Sequence, residues 1–542
     1  MFLSANDIET GSKLEADIVI VGAGAAGITI ARQFANTPKS VLVLESGADH
    51  LDEPTQALYQ GSLTGIQAGP PLDASRLRFF GGTTNHWTGW CRPLEPSDFE
   101  HRPDWPESGW PISRSDLDPW YREAAEICDL GPVNFDDPAF WRRMPGGNRI
   151  SALPLDRRRF KTAIFRVSAR PRFAEAYRPE LQSARNVHVV ENANVMEFLP
   201  GPGHAAGQAR KHVGRAKVRT LSGKTFTASG KVFIVAAGGI ETARLLLLSQ
   251  AMHPNGAGNE HDLVGRYFMD HVWLNANCYL HFSRPNVDLP FYFEQMEIAD
   301  APVFGKVAST RELCLKEQIG GFGLWLTPSG GSVAGIESAH ALSESLAHGR
   351  LPDHFLTHLG NMLADIDVLA DATYKTVFHT NKGWLSANKA APVTGAWIDL
   401  NFEQRPSLTS RVQLSAERDA LGQRRVAVNW DLGETDRRTA TRALELAAQE
   451  FGRIGLGRCR IDLDLANGWP SNLISSCHHS GTARMSDNPA TGVVDRDCRV
   501  HSADNLYVAG SAVFPTAGYA NPTFTIVALA LRLADHLKKV IA

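Results

Sequence analysis

The run DIVIVGAGAAGITIARQFANT (17–37) changes period in its middle. A continuous apolar stretch of strand type gives way, across a glycine turn, to apolar positions at helical spacing. KSVLVLESG (39–47) is a second apolar strand, so the chain opens with a β-α-β unit. KVFIVAAGGIETARLLLLSQ (231–250) and DNLYVAGSAVFPTAGYANPTFTIVALALRLADHL (504–537) repeat the strand-then-helix pattern. Three such blocks spread over the whole length predict one discontinuous domain, residues 1–284 with 471–542, carrying inserted substrate-side segments around 50–180. Residues 285–470 have another texture. LPFYFEQMEI, GGFGLWLTP, SRVQLSAE and RRVAVNWDL read as aromatic-rich strands, which predicts a second domain built on a mostly antiparallel sheet. The small, polar, glycine-rich LTPSGGSVAGIESAHALSES (326–345) reads as a mobile loop of the lid kind.

Composition narrows the class without naming a function. The chain has 542 residues, 43% hydrophobic and 21% charged, which is ordinary globular usage. A net charge of -3 gives no case for nucleic acid or an anionic membrane surface. The seven cysteines (Cys91, Cys128, Cys278, Cys314, Cys459, Cys477 and Cys498) show no pairing by spacing, so a reducing compartment is the default. MFLSANDIETGSKLEAD shows no basic stretch followed by an apolar run, and a cytoplasmic protein is expected. FTIVALALRLADHL is broken by Arg532, Asp535 and His536 and is too short to span a bilayer; it reads as a buried helix.

The first β-α-β unit carries a chemical signal. Gly22-x-Gly24-x-x-Gly27 follows a strand and opens a helix. Gly22 makes the turn, Gly24 lets a pyrophosphate approach the backbone, and Gly27 permits close helix–strand packing. The phosphates then sit at the helix N-terminus. Glu45 ends the second strand, where an acid hydrogen-bonds a ribose 2′-hydroxyl and disfavours the extra phosphate of NADP. The motif predicts a Rossmann-like dinucleotide domain, hence an α/β fold (α+β overall, once the substrate domain with its antiparallel sheet and helices is counted). It does not separate FAD from NAD.

GAGAAG, GGTTNHW (81–87), AAGGIETARLLLLS (236–249), HHSGTARM (478–485) and NLYVAGSAVFPTAGYANPT (505–523) occur in this order. Together they resemble the glucose–methanol–choline (GMC) oxidoreductases. TNHW and HHSGTARM are closer to the pyranose-oxidase-like and bacterial sugar dehydrogenase branch. The likeness runs end to end but is almost motif-free between 285 and 470. It implies FAD and oxidation of a CH–OH group. It further implies that Gly22, Gly24, Ala25, Ala26, Gly27, Glu45, Gly82, Thr83, Asn85, His86, Val195, Ala237, Gly510, Ser511, Asn521, Pro522 and Thr523 surround the cofactor. In the resembling branch the residue before the tryptophan, here His86, often carries FAD covalently through a ring nitrogen; the alternative is a non-covalent ring contact.

The adjacent His478 and His479 admit several readings. Neighbours in an extended segment point to opposite faces and chelate a metal poorly. A c-haem motif fails because Ile474 stands where Cys477-His478 would need a second cysteine. Two ordinary strand histidines remain an alternative to a catalytic base. The resemblance places the base three residues before Gly481-Thr482, which selects His478, and makes Asn521 the second catalytic residue. Asn521 could also be a helix N-cap with Pro522 at the first helical position. A neutral imidazole suits the task of taking the hydroxyl proton while the carbon gives up its hydride to flavin N5. The stretch 129–277 holds no cysteine, which excludes the iron–sulfur cluster of some relatives. Electrons then leave FAD for oxygen or for a diffusible or protein acceptor. The expected substrate is a small sugar, glycoside or related polyol; a non-sugar alcohol, and a lyase that keeps FAD without net redox, are the alternatives.

Overall fold

In the computed structural model the residues described are 1–201, 211–284, 287–330, 338–339, 342, 355–364, 366, 369 and 393–541. The opening pattern folds as read. Lys13–Val21 is a strand, Ala25–Gln33 a helix and Val41–Leu44 a strand, the two strands parallel with Ile18 opposite Val41 and Val21 opposite Leu44. Ile18, Val19, Ile20 and Val41 are fully buried, as a strand covered on both faces requires. The other two blocks join the same sheet. Thr225–Val235 pairs parallel with Lys13–Val21 on one side and with Leu506–Val508 on the other. Phe2–Ser4 and Val187–Glu191 extend one edge in parallel, while Val213–Arg219 and Asn194–Pro200 add an antiparallel edge. Helices Gly238–Leu248 and Thr523–Val540 follow their strands. The C-terminal apolar run is thus a buried helix, and among the described residues no helix is long and apolar enough to cross a membrane.

A second sheet of ten strands is antiparallel throughout its pairs. It draws Trp90–Cys91, Phe160–Val167, Val272–Leu274 and Cys278–Phe282 from before residue 285, and Leu473–Ser475 from after 470. Arg411–Arg418 and Arg424–Trp430 leave it to form a small sheet with Gly61–Gly65. Two local readings change. In LPFYFEQMEI, Pro290 starts a helical turn to Phe293, and only Met296–Ile298 is a strand, because proline suits a first helical position and gives no ladder hydrogen bond. In the expected lid, residues 326–330 end the strand Phe322–Gly330, held in register by Val393–Phe402. Most of the remainder of that segment lies outside the described residues.

One short pairing within the second sheet shapes the histidine segment. Leu473–Ser475 pairs with Val272–Leu274, Ser475 opposite Val272, and Met269 bridges Ser480. Two residues, Asp270 and His271, therefore face four, Ser476 to His479. The longer side has to bulge, and Cys477 turns the chain with φ +57°.

Candidate active site

A cavity of about 420 Å³ opens at the ends of the Lys13–Val21 and Val41–Leu44 strands. One wall is backbone. Gly22 has φ +99°, which an L side chain resists, and a β-carbon there would stand 2.7 Å from the Ala236 carbonyl oxygen. Gly27 packs against that turn so closely that a β-carbon would lie 2.0 Å from the Gly22 carbonyl oxygen. Gly24 is different. It caps the helix Ala25–Gln33 with no side chain, and a β-carbon would meet nothing within 4 Å. Gly238 and Gly510, also on the cavity wall, are open in the same way. A helix start with unpaired amides, facing a space kept clear by three glycines, is a cradle for a pyrophosphate. Glu45 lines the cavity and ties its floor: its carboxylate accepts from the Ala23 amide at 2.8 Å and the Gly47 amide at 2.9 Å.

Beside this wall stands a charged cluster. Glu241 binds Arg76 at 3.1 Å and Arg78 and Arg244 at 3.3 Å each, and Arg244 reaches Asp419 at 2.6 Å. Burial alone would raise the Glu241 carboxyl, but the guanidiniums of Arg244, Arg76 and Arg78 outweigh it and hold it at about 2. Arg76 and Arg78 also line the cavity, so it has cationic side chains as well as helix amides for an anion.

Another part of the lining is side chain on side chain. Asp270 accepts the His478 amide at 2.8 Å and a hydrogen bond from the Ser475 hydroxyl, pinning the bulge. Burial pushes its carboxyl up to about 6. The His478 ring stands between two partners. Its Nδ1 is 2.8 Å from Nδ1 of His271, and its Nε2 is 3.3 Å from Nδ2 of Asn521. The His479 ring departs towards Phe268, 5.7 Å between centroids, with its Nε2 4.0 Å from Asp270. The two rings take different partners, set by the bulge and not by strand alternation, but both residues line the cavity. Burial, then the neighbouring His271, His479 and Lys306, push His478 well below the usual histidine range, so its ring is neutral at pH 7.

Of the residues expected around a cofactor, Gly22, Gly24, Ala25, Ala26, Glu45, Gly82, Thr83, His86, Val195, Ala237, Gly510, Ser511, Asn521, Pro522 and Thr523 line the cavity, with His478. Gly27 serves packing behind the turn, and Asn85 donates to the Phe80 carbonyl at 2.9 Å. Asn521 does not cap the last helix; Pro522 occupies that position, and the Asn521 amide faces His478. The ring of His86 borders the cavity with no hydrogen bond among the described residues, and burial, then the charge of Arg172, lowers its pKa. Sequence reasoning passed over Arg76, Arg78, Glu241, Asp270 and His271. Arg76 and Arg78 alternate just before FFGGTTNHW, a signal that could have found them; nothing in MDHV marks His271. Among the described residues no group of acids, histidines or cysteines is placed to hold a metal.

Residues 406–530 match the family model described as GMC oxidoreductase. The chain is 22% identical to 2-methyl-1,2-propanediol dehydrogenase of Mycolicibacterium austroafricanum, over 98% of this chain and 96% of that protein. It is 24% identical to the fructose dehydrogenase large subunit of Gluconobacter japonicus, over 97% of this chain and 98% of that one. Its fold matches a formate oxidase of Aspergillus oryzae with a TM-score of 0.52 at 15% identity, covering 98% of this chain and 99% of the other. The glycine cradle, the cavity and these likenesses agree: residues 406–530 match a GMC oxidoreductase domain, and the chain is similar along its length to dehydrogenases of an alcohol and of a sugar.

Proposed function

We propose that this enzyme oxidises a CH–OH group of a sugar, glycoside or related polyol to the carbonyl, with His478 as the general base. The observation that carries the reading is the meeting of His478 and Asn521 at 3.3 Å on the lining of the cavity that also holds the glycine cradle. An alcohol is far too weak an acid to lose its proton unaided, and the neutral His478 ring is in the form that accepts one. Asn521 donates from its amide and holds the substrate oxygen beside that ring, fixing the carbon in place. Gly22, Gly24, Gly238 and Gly510, with Arg76 and Arg78, hold the FAD, which when bound supplies the hydride acceptor at N5. His478 would take the hydroxyl proton, and the FAD held at the glycine cradle would supply the two-electron acceptor that balances the alcohol to the carbonyl.

His86, on the cavity wall with no hydrogen bond to its ring among the described residues, is the attachment point for a covalent flavin bond in this reading. Acid-precipitated protein should then keep its yellow colour, and His86→Ala should release it. Reoxidation passes to oxygen or to a diffusible or protein acceptor. The likeness to fructose dehydrogenase supports a sugar, and that to a propanediol dehydrogenase supports a second reading in which the substrate is a short non-sugar alcohol. An anaerobic panel of sugars and alcohols, followed by bleaching of flavin absorbance, tests both. Bleaching by sugars is expected; bleaching by none of the alcohols would leave only a lyase-type use of the cofactor.

A further inference from the structure

We propose that His271 is a positioning residue that fixes the tautomer of His478, so that the nitrogen facing Asn521 is the one left free to accept a proton. The argument follows hydrogens along a chain of three contacts. His271 Nε2 lies 3.4 Å from the Ala517 carbonyl oxygen, which can only accept. That nitrogen therefore carries the hydrogen. Burial holds His271 at about 4, so the ring is neutral at pH 7 and its Nδ1 has only a lone pair to offer. His478 Nδ1, 2.8 Å away, must then be the donor. A neutral ring has one hydrogen, so His478 Nε2 is bare. An independent contact agrees: Asn521 approaches that nitrogen with its amide Nδ2, a donor, at 3.3 Å.

Without the His271 acceptor only the 3.3 Å contact from the Asn521 amide would oppose the ordinary preference of an imidazole for a hydrogen on Nε2, and the base would more often carry its proton where it has to receive one. Ala517 and Asn521 sit in one loop, AGYAN, so the same segment sets both ends of the chain. Asp270 and His271 divide the remaining work: the first clamps the His478 backbone and the second its ring. The cost of a wrong tautomer is known in kind from the serine-protease triad, where replacing the orienting carboxylate costs about 10⁴ in rate. A neutral orienting group supplies less charge stabilisation, so a loss of roughly 10–10³-fold is expected here.

The proposal rests on His478 being the base, and the test separates the two. Protein labelled with ring-¹⁵N histidine should show, for the His478 signals identified by their loss in His478→Ala, a protonated Nδ1 and a bare Nε2. This reading needs no substrate. In His271→Leu the pattern should reverse or mix, and anaerobic flavin reduction should slow by about 10–10³-fold with flavin content and KM unchanged. His271→Asn, whose side-chain oxygen can replace the Nδ1 acceptor, should stay within about fivefold of wild type. His271→Asp adds an anion beside His478 and should move the acid limb of the rate profile upward by more than about one pH unit. The other charged or titratable groups around the pair are Asp270, His479 and Lys306, with Asp399 acting on Lys306, and none of the variants removes them. A protonated Nε2 in wild type overturns the proposal. So does an Asn variant as slow as the Leu variant, or an Asp variant with an unmoved acid limb, and these two arms decide the matter even if the Leu variant does not fold. A His478→Ala enzyme of normal rate would instead sink the function and leave the tautomer assignment standing.

Discussion

The two walls of the cavity are built from different material. The nucleotide wall is backbone: glycine turns, a helix start, and one carboxylate that ties two amides. The wall proposed as catalytic is a relay of three side chains anchored on one carbonyl, Ala517 to His271 to His478 to Asn521, whose links span 246, 207 and 43 residues of sequence. The difference teaches where each wall can fail. A backbone wall is spoiled by added bulk, and its failure costs cofactor or fold. A side-chain relay is spoiled by a missing atom, and its failure costs rate while the flavin stays in place.

Mutations that probe the first wall should have the larger consequences. Gly27→Val puts a side chain on a β-carbon 2.0 Å from the Gly22 carbonyl oxygen, so no soluble, flavin-loaded protein is expected from expression. Gly24→Val is the informative contrast. Its β-carbon meets nothing, so the protein should fold with native circular dichroism, yet bind at least about tenfold less flavin because the cradle is filled. Equal flavin content in the two variants would break the distinction between packing glycine and cradle glycine.

The charged cluster lies between these extremes. Glu241→Leu takes the carboxylate partner from Arg76 and Arg78, while Arg244 keeps Asp419, and should cost roughly 3–5 kcal/mol, read as a lower melting temperature. The pH dependence has a definite sign. The Glu241 carboxyl is lowered from its unfolded value to about 2, so its contribution is present above roughly pH 4.5 and is lost as pH falls towards 2. The gap in melting temperature between wild type and Glu241→Leu should therefore narrow below about pH 4; a gap that widens there contradicts the assignment.

On the catalytic wall Asn521→Ala should keep its flavin and slow anaerobic flavin reduction by roughly 10–100-fold, since it removes one positioned donor. His479→Phe should be the mildest, within about fivefold in rate, because its ring packs near Phe268 and its contact with Asp270 is a loose 4.0 Å.

The same contrast explains what the sequence disclosed. The backbone wall was legible because a turn, a strand end and a helix start must be neighbours in sequence: Gly22, Gly24 and Gly27 announce themselves within six residues. The relay was legible only where a family likeness marked a member, as at His478 and Asn521. His271 has no local signal, because its role exists only through a partner 207 residues away. The charged cluster was missed for the same reason; Glu241 reads as one polar position in an apolar helix until Arg76 and Arg78 arrive from another segment. The ten-stranded sheet was half legible. Val272–Leu274 is too short to show alternation, yet its pairing with Leu473–Ser475 is what carries the histidine bulge.

The central claim, that His478 and not its neighbour is the base, is tested most directly by anaerobic stopped-flow reduction of the bound flavin at saturating substrate. His478→Ala and His479→Phe are compared with wild type after each is shown to carry equal flavin. The account predicts a fall of roughly 10²–10⁴-fold for His478→Ala and little change for His479→Phe. A slower His479→Phe, or wild-type reduction by both, would contradict it.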